Sequence, residues 1–288
     1  VAKEELFDVK PYAVLGSGKA GAGAEDINEP DGIIFDAAGH LLMTDAMNHR
    51  VQVWDAVAKK RLGEFGTSAI FRGEIVDLAM NPLTHDVVVT DETAHVAYMF
   101  HPPTGKEAGD LAFTNYTYTG KEMWTDLAVE KVGGVTYDSK GRLYSVDAHK
   151  NFVRRFTPDG KVDPTWKFEG SVKYLQGCEG IAVDEKRGNV YVSDEFESIV
   201  QVFDIENGAY KGHMIGAAQD AASPGKPVAG TSVFPAAPEG LWIVDDYLVV
   251  ADEADRDIGR VKIFDLQESS VFDTGAALNH HFDVMGKH

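Results

Sequence analysis

Three acidic residues recur at one place in this sequence, directly before a glycine that opens an apolar segment. They are Asp31, Glu179 and Glu239. Carboxylates that gather without nearby lysines repel one another, and a bound Ca²⁺ would relieve the repulsion while taking the oxygen ligands it prefers. A cation held there could polarise a phosphoryl or carbonyl oxygen and activate water. The pattern therefore predicts a metal site, the alternative being that these acids cap backbone amides or face water.

A second set of acids ends the next apolar segment after each of these positions. Its members are Asp45, Asp91, Asp147, Asp194 and Asp252. Because aspartate recurs in every copy, including the degenerate one, we predict a structural role in which its side chain bonds backbone amides at each turn. The acids that follow three of these aspartates, Glu92, Glu195 and Glu253, vary between copies and are better functional candidates.

The elements that must position these acids are five copies of a block of short apolar strands. The blocks start at Gly32, Asp77, Gly134, Gly180 and Gly240, and the strand-ending aspartate follows 12 to 14 residues later. Each copy then reaches an aromatic residue near the end of a third strand: Trp54, Phe100, Phe156, Phe203 and Phe264. This spacing is typical of four-stranded propeller blades, whose first strands line a central channel. The residues before the blocks would then surround one mouth of the channel.

Closure of a propeller requires the two ends of the chain to meet, because an open ring leaves a bare sheet edge. Residues 5–16 and 271–285 contain enough strand-like sequence for a composite sixth blade. We therefore predict an all-β, six-bladed β-propeller with four-stranded antiparallel blades, with five blades as the alternative, in one domain over residues 1–288. Longer repeat intervals place insertions at 101–131 and 210–237, which are predicted to be loops that carry a small-molecule or protein partner.

The composition limits the partners. The 27 Lys and Arg against 46 Asp and Glu give a net charge of −19, which disfavours nucleic acid and makes a divalent cation the natural counter-partner. No apolar run approaches the roughly 18 residues of a membrane span. The single cysteine, Cys178, has carboxylate neighbours and is predicted to be buried and inert. Because the sequence starts at Val1, as after removal of an export signal, we expect an extracytoplasmic (periplasmic or secreted) location.

Two resemblances add to this interpretation. The segment Asn48-His49-Arg50-Val51-Gln52-Val53-Trp54-Asp55 resembles an NHL repeat, and the likeness extends over roughly residues 10–266. Residues 178–266, with Cys178-Glu179-Gly180-Ile181-Ala182-Val183-Asp184 and Pro238-Glu239-Gly240-Leu241, resemble two blades of the calcium-dependent β-propeller phytases. That resemblance implies that Glu179, Glu195 and Glu239 help to hold Ca²⁺ ions that bridge substrate phosphates.

Three functions follow as hypotheses. The first is a calcium-dependent, phytase-like hydrolase that uses Asp31, Glu179, Glu195 and Glu239 as metal ligands. The second is a non-catalytic scaffold or binding module. The lysine and arginine cluster that grips phosphate in the phytases has no match in this sequence, which favours this second hypothesis, whereas the acidic positions in the last two blades favour the first. The third is a metal-dependent lactonase or lyase.

Overall fold

The computed structural model describes residues 14–102, 116–168, 177–195, 199–214, 237–253, 259–267 and 281–285. Within these ranges the chain is all-β except for one short 3-10 turn at Ala46–Asn48. The strands form five antiparallel sheets in which strands that follow one another along the chain lie side by side. Their sequences are rich in valine and aromatic residues, which favour the pleated, half-buried surface of a strand.

The first two sheets each contain four strands. The first consists of β1 (Ile33–Phe35), β2 (Leu41–Asp45), β3 (Arg50–Asp55) and β4 (Lys60–Phe65). The second consists of β5 (Ile75–Met80), β6 (Val87–Asp91), β7 (Val96–His101) and β8 (Thr117–Met123). The outer strand β8 lies inside the insertion predicted at 101–131, so part of that insertion is blade rather than loop.

The remaining sheets repeat the same order. The third consists, in its described part, of β9 (Val132–Tyr137), β10 (Leu143–Asp147) and β11 (Phe152–Phe156). The fourth consists of β12 (Cys178–Asp184), β13 (Asn189–Asp194), β14 (Ile199–Asp204) and β15 (Tyr210–Met214). The fifth consists of β16 (Ala237–Val244), β17 (Tyr247–Glu253), β18 (Gly259–Asp265) and β19 (His281–Met285). Strand β15 begins the insertion predicted at 210–237.

The five sheets are the blades of a five-bladed β-propeller, and the predicted count of six is wrong. The reason is the place of the last strand. Strand β19 pairs with β18, from Arg260 opposite Met285 to Phe264 opposite His281, and so completes the fifth blade instead of starting a sixth. The other parts of the predicted composite blade, residues 5–13 and 271–280, lie outside the described residues.

The chain divides into two compact units. The first unit comprises residues 11–143 and 157–160 and contains β1 to β9; the second comprises residues 1–10, 144–156 and 161–288 and contains β11 to β19. The single domain over 1–288 stays a prediction. Among the described residues, no helix has the length and apolar character needed to cross a membrane.

The apolar repeat positions form the cores. The five aromatic residues of the third strands are all at most 2% exposed, as the repeat predicts. In the first unit, Phe65, Phe71 and Phe100 pack together with Val53 and Val89. In the second, one cluster surrounds Phe203 and another surrounds Phe264. Burial of side chains of this size stabilises a fold by about 1.5–3 kcal/mol each, so the repeats themselves hold the first strands of the blades in place.

Candidate functional site

The residues before each block lie where the first strand of a blade begins. In blades two, four and five the pairing register shifts there, between Ile75 and Leu78, between Cys178 and Ile181, and between Pro238 and Leu241. Such bulges re-aim side chains and are common next to functional sites. Glu179 and Glu239, which lie at the shifts in blades four and five, therefore do not follow the regular alternation of the strands that carry them.

In the first unit, a threonine hydroxyl fixes the backbone that carries Asp31. The Oγ1 atom of Thr44 accepts hydrogen bonds from the amides of Asp31, at 3.1 Å, and Gly32, at 2.9 Å. Thr44 is fully buried and precedes the strand-ending Asp45. Blade two repeats the arrangement, because the hydroxyl of Thr90 accepts a bond from the amide of Asp77 at 3.0 Å. The start of each first strand is thus clamped to the second strand of its own blade.

Four carboxylates form an acidic cluster in this unit: Glu29, Asp31, Glu74 and Glu92. Burial raises the pKa of Asp31 to about 6, and the negative charges of Glu74, Glu29 and Glu92 add to the shift. Burial also raises the pKa of Glu74, again with help from Glu92 and Glu29. A carboxyl group with these neighbours is costly to ionise because like charges repel, although water screens part of the repulsion, since Glu29 and Asp31 are exposed and Glu74 and Glu92 are half-buried.

The backbone keeps this cluster together in spite of the repulsion. The carbonyl oxygen of Glu29 accepts the amide of Ala46 at 3.1 Å, and that of Glu74 accepts the amide of Glu92 at 2.8 Å. The Nζ atom of Lys131 lies 3.4 Å from Oε1 of Glu92 and partly offsets the negative charge around Glu74. The cluster can therefore attract a cation, and Asp31 can exchange a proton near neutral pH.

A half-buried aspartate lies next to the acidic cluster. The carboxylate of Asp77 accepts the amide of Leu78 at 2.8 Å through Oδ1 and the amide of Val135 at 2.8 Å through Oδ2. Its burial raises its pKa to about 7 against the effect of these two bonds, and the charge of Asp31 adds to the increase. Two carboxyl groups with pKa values near 6 and 7 are thus placed close together at the start of β1 and β5.

The strand-ending aspartates hold the segments that lead into this cluster. Oδ1 of Asp45 accepts the amide of Asn28 at 2.8 Å, and Oδ2 of Asp91 accepts the amide of Gly73 at 2.9 Å. Asn28 and Gly73 directly precede Glu29 and Glu74 in the sequence. In both blades the aspartate is fully buried and bonded to backbone, which is the structural role predicted for it.

The second unit contains Glu179, Glu195 and Glu239. The amide of Glu195 donates to the carbonyl of Gly177 at 2.9 Å, which places Glu195 beside the start of β12, where Glu179 lies. The hydroxyl of Ser193 accepts the amide of Gly180 at 2.7 Å and donates to the carbonyl of Glu239 at 2.7 Å. The structure therefore brings the backbones of the three glutamates to neighbouring positions of blades four and five. Asp31 belongs to the other unit.

The thiol of Cys178 lies beside these glutamates. It is fully buried, and burial together with the charges of Asp194 and Glu179 raises its pKa well above the ordinary value. A thiol needs an electropositive setting to ionise at neutral pH. The geometry agrees with the predicted inert cysteine and gives it no nucleophilic role.

The donor set can be compared with what a calcium ion requires. Within the part of the chain that the structure describes, no three His, Cys, Asp or Glu side chains gather around a common point at ligand distance. Ca²⁺ takes six to eight oxygens, and water, backbone carbonyls and ligand oxygens commonly supply several of them. The opening carboxylates fit as part of such a shell but do not form a complete cage, and the calcium site stays a prediction.

Sequence reasoning missed Glu29, Glu74 and Asp77. In blade two the opening position holds Val76, and the block glycine is replaced by Asp77, so the copy looked merely degenerate. The replacement of glycine by a carboxylate next to an acid-rich stretch was the available signal. The sequence contains no corresponding signal for Lys131, because its closeness to Glu92 depends on the packing of β9 beside β5.

Comparison with known proteins supports the fold and leaves the family open. No protein-family model and no curated protein matches this sequence. Solved β-propellers do match. The PQQ-bound aldose sugar dehydrogenase of Streptomyces coelicolor has a TM-score of 0.59 and 18% identity, over 95% of this chain and 84% of that chain.

Two lyases match about as well. A streptogramin B lyase has a TM-score of 0.58 and 12% identity, over 88% of this chain and 68% of that chain. The virginiamycin B lyase of Staphylococcus aureus has a TM-score of 0.57 and 13% identity, over 95% of this chain and 72% of that chain. At such identities the likeness establishes the propeller fold and no activity.

Proposed function

We propose that this protein is a propeller enzyme that uses a divalent cation, with Ca²⁺ as the first choice, to hydrolyse an ester, with phosphate esters as the first substrates to test. The observation that carries the proposal is the acidic cluster, in which three neighbouring carboxylates help to raise the pKa of Asp31 to about 6. Repulsion among carboxylates destabilises a fold unless a bound cation or a proton offsets it.

The candidate ligands form two separate sets, one in each unit: Asp31 with Glu74 and Glu92 beside it, and Glu179, Glu195 and Glu239, which were predicted from the sequence. Ca²⁺ would supply Lewis-acid polarisation of a phosphoryl or carbonyl oxygen. The role of the chain is to hold oxygen ligands on short, clamped strand starts, so that few degrees of freedom are lost on binding. Lys131, which contacts Glu92, would help to receive an anionic substrate group.

Calorimetry of the EDTA-treated protein with Ca²⁺ tests this proposal. Wild type would be compared with Asp31→Asn, with a Glu179→Gln and Glu195→Gln double variant, and with Glu25→Gln, an exposed acid that serves as the charge-matched control. Micromolar binding that the Glu25 variant retains, and that either the Asp31 variant or the double variant loses, would support the proposal and assign the site to that unit. Absence of binding in wild type would reject it.

A second candidate is an acid–base lyase that needs no metal. The specific observation in its favour is the pair of raised pKa values, about 6 for Asp31 and about 7 for Asp77, because a proton acceptor works best when its pKa is near the working pH. It predicts turnover that survives EDTA and rises with pH through about 6. The scaffold hypothesis predicts neither calcium binding nor turnover, and the same assays separate all three.

A further inference from the structure

Asp77 occupies a position that is glycine in the comparable blades. The strand pairing defines the position. Leu78 pairs with the residue two before Asp91, and Ile181 likewise pairs with the residue two before Asp194. Gly180 therefore corresponds to Asp77, and Gly32 and Gly240 correspond by the same count in blades one and five. Blade two thus carries a carboxylate where the others carry no side chain.

This carboxylate joins two blades. Its bond to the amide of Leu78 is local, as in an ordinary aspartate turn. Its bond to the amide of Val135, also 2.8 Å long, reaches 58 residues along the chain to strand β9 of the next blade. A turn role would explain the first bond and leave the second without a purpose.

The same residue contacts the preceding blade. A Cβ atom added at Gly32 would lie 2.7 Å from the Cα and 2.8 Å from Oδ1 of Asp77, so the two backbones are already in close contact. The amide of Gly32 bonds the hydroxyl of Thr44, and Asp31 is the residue before it. Asp77 consequently touches the turn that presents Asp31 and is bonded to β9 at the same time.

We propose that Asp77 is a positioning residue for the acidic cluster, a half-buried carboxylate strap that ties β5 to β9 and supports the segment at Gly32, which carries Asp31. The inference rests on the proposed function for the importance of Asp31, but the strap itself is independent of any metal. The amide of Val135, which is buried, donates to Oδ2 of Asp77, and loss of this oxygen would leave the amide without that acceptor.

Amide hydrogen exchange followed by NMR, in metal-free protein, tests the strap. The variants are Asp77→Gly, which restores the residue of the other blades, and Asp77→Asn, which keeps one acceptor oxygen if the glycine variant fails to fold. Asp86→Asn is the control, because Asp86 lies in the same blade but bonds His101 and Thr84. In both Asp77 variants the amides of Val135 and Gly32 should exchange at least tenfold faster, while the amide of Val53 in β3 keeps its rate. Faster exchange at Val135 alone would overturn the positioning role.

Calcium calorimetry at low and high salt supplies the second readout. If the strap positions Asp31, Asp77→Asn should weaken binding about tenfold at both salt concentrations, and Asp86→Asn should leave it within about twofold. A loss that vanishes in high salt would mean that Asp77 acts only through its charge, and would overturn the inference. If wild type binds no Ca²⁺, the proposed function fails, and the exchange rates alone decide the strap.

Discussion

At the start of their first strands, blades two and four contact the next blade in two different ways. In blade four, Gly180 leaves no side chain, and the carbonyl of Glu239 from the next blade comes so close that an added Cβ would overlap it. In blade two, Asp77 fills the gap with a carboxylate that bonds the next blade through Val135. The comparison teaches that a propeller can join successive blades either by direct backbone approach or by a polar side chain. Only the second way makes the group that joins the two blades titratable.

The largest expected effect comes from adding a side chain at Gly180 in blade four, where the backbone of the next blade is already in contact. Gly180→Ala would place a methyl group on the Glu239 carbonyl and 3.1 Å from the Ser193 hydroxyl, and both are held by hydrogen bonds. Overpacking against backbone costs about 3 kcal/mol or more. Urea unfolding should show this loss in the free energy of unfolding. Gly39→Ala, where an added Cβ meets nothing, gives the cost of lost glycine freedom together with a positive φ, which Gly180 does not have, and should still cost less. A loss below 1 kcal/mol would contradict the close approach.

The pH dependence of the free energy of unfolding should reveal the contribution of the Asp77 carboxyl group in blade two. The folded pKa of Asp77, about 7, lies above its ordinary value of 3.8, so the folded chain keeps a proton that the unfolded chain releases. The stabilising contribution is therefore complete below pH 3.8 and is lost as the pH rises to 7, with a size on the order of 2 kcal/mol. Denaturant unfolding between pH 4 and 8 should show this decline in wild type and a smaller one in Asp77→Gly. Equal slopes would contradict the assignment.

The hydroxyl clamp recurs in blades one and four, so its removal should cost similar amounts in each. Thr44→Val and Ser193→Ala would leave buried amides at Gly32 and Gly180 without acceptors. We expect a loss of about 1–2 kcal/mol for each, measured by urea unfolding. A much smaller cost for Thr44→Val would mean that water replaces the hydroxyl at the start of blade one and that the two openings are not equivalent.

The charge coupling of the acidic cluster can be measured directly. Glu74→Gln removes the charge that adds most to the burial effect on Asp31, so the pKa of Asp31 should fall from about 6 toward its ordinary value. NMR titration of the Asp31 carboxyl carbon measures the shift, and Glu25→Gln should leave the titration unchanged. An unchanged pKa in Glu74→Gln would separate the two carboxylates and remove the basis of the cation proposal.

The smallest effect is expected at the surface of the second unit. Hydrogen bonds from Lys186, then Arg187, lower the pKa of Asp246 to about 2, with a further bond from Gln267. Because the folded pKa is depressed, the group contributes stability above pH 3.8 and loses it as the pH falls toward 2. Asp246→Asn should lower the Tm slightly at pH 6 and leave it unchanged near pH 2, as measured by scanning calorimetry. Salt should reduce the difference, because Lys186, the first partner of the carboxylate, is exposed.

Much of the fold was readable from local patterns. The repeated aromatic residues are buried as predicted, and Asp45 and Asp91 bond backbone amides as their recurrence indicates. The blade count was not readable, because a strand-like segment after a long connection can complete one blade or begin another. Only the pairing of β19 with β18 resolves this.

By itself, the sequence determined the all-β repeat, the buried strand faces and the opening positions of Asp31, Glu179 and Glu239, because these depend on alternation and spacing within each copy. Tertiary structure alone decided that Glu74 and Glu92 lie beside Asp31 and that Asp77 reaches Val135. These groups are far apart along the chain, and the energy of a carboxylate depends on which charges and amides surround it in space. No local sequence pattern encodes which groups surround a carboxylate in space. The candidate chemistry therefore follows only from the tertiary structure around the starts of the first strands.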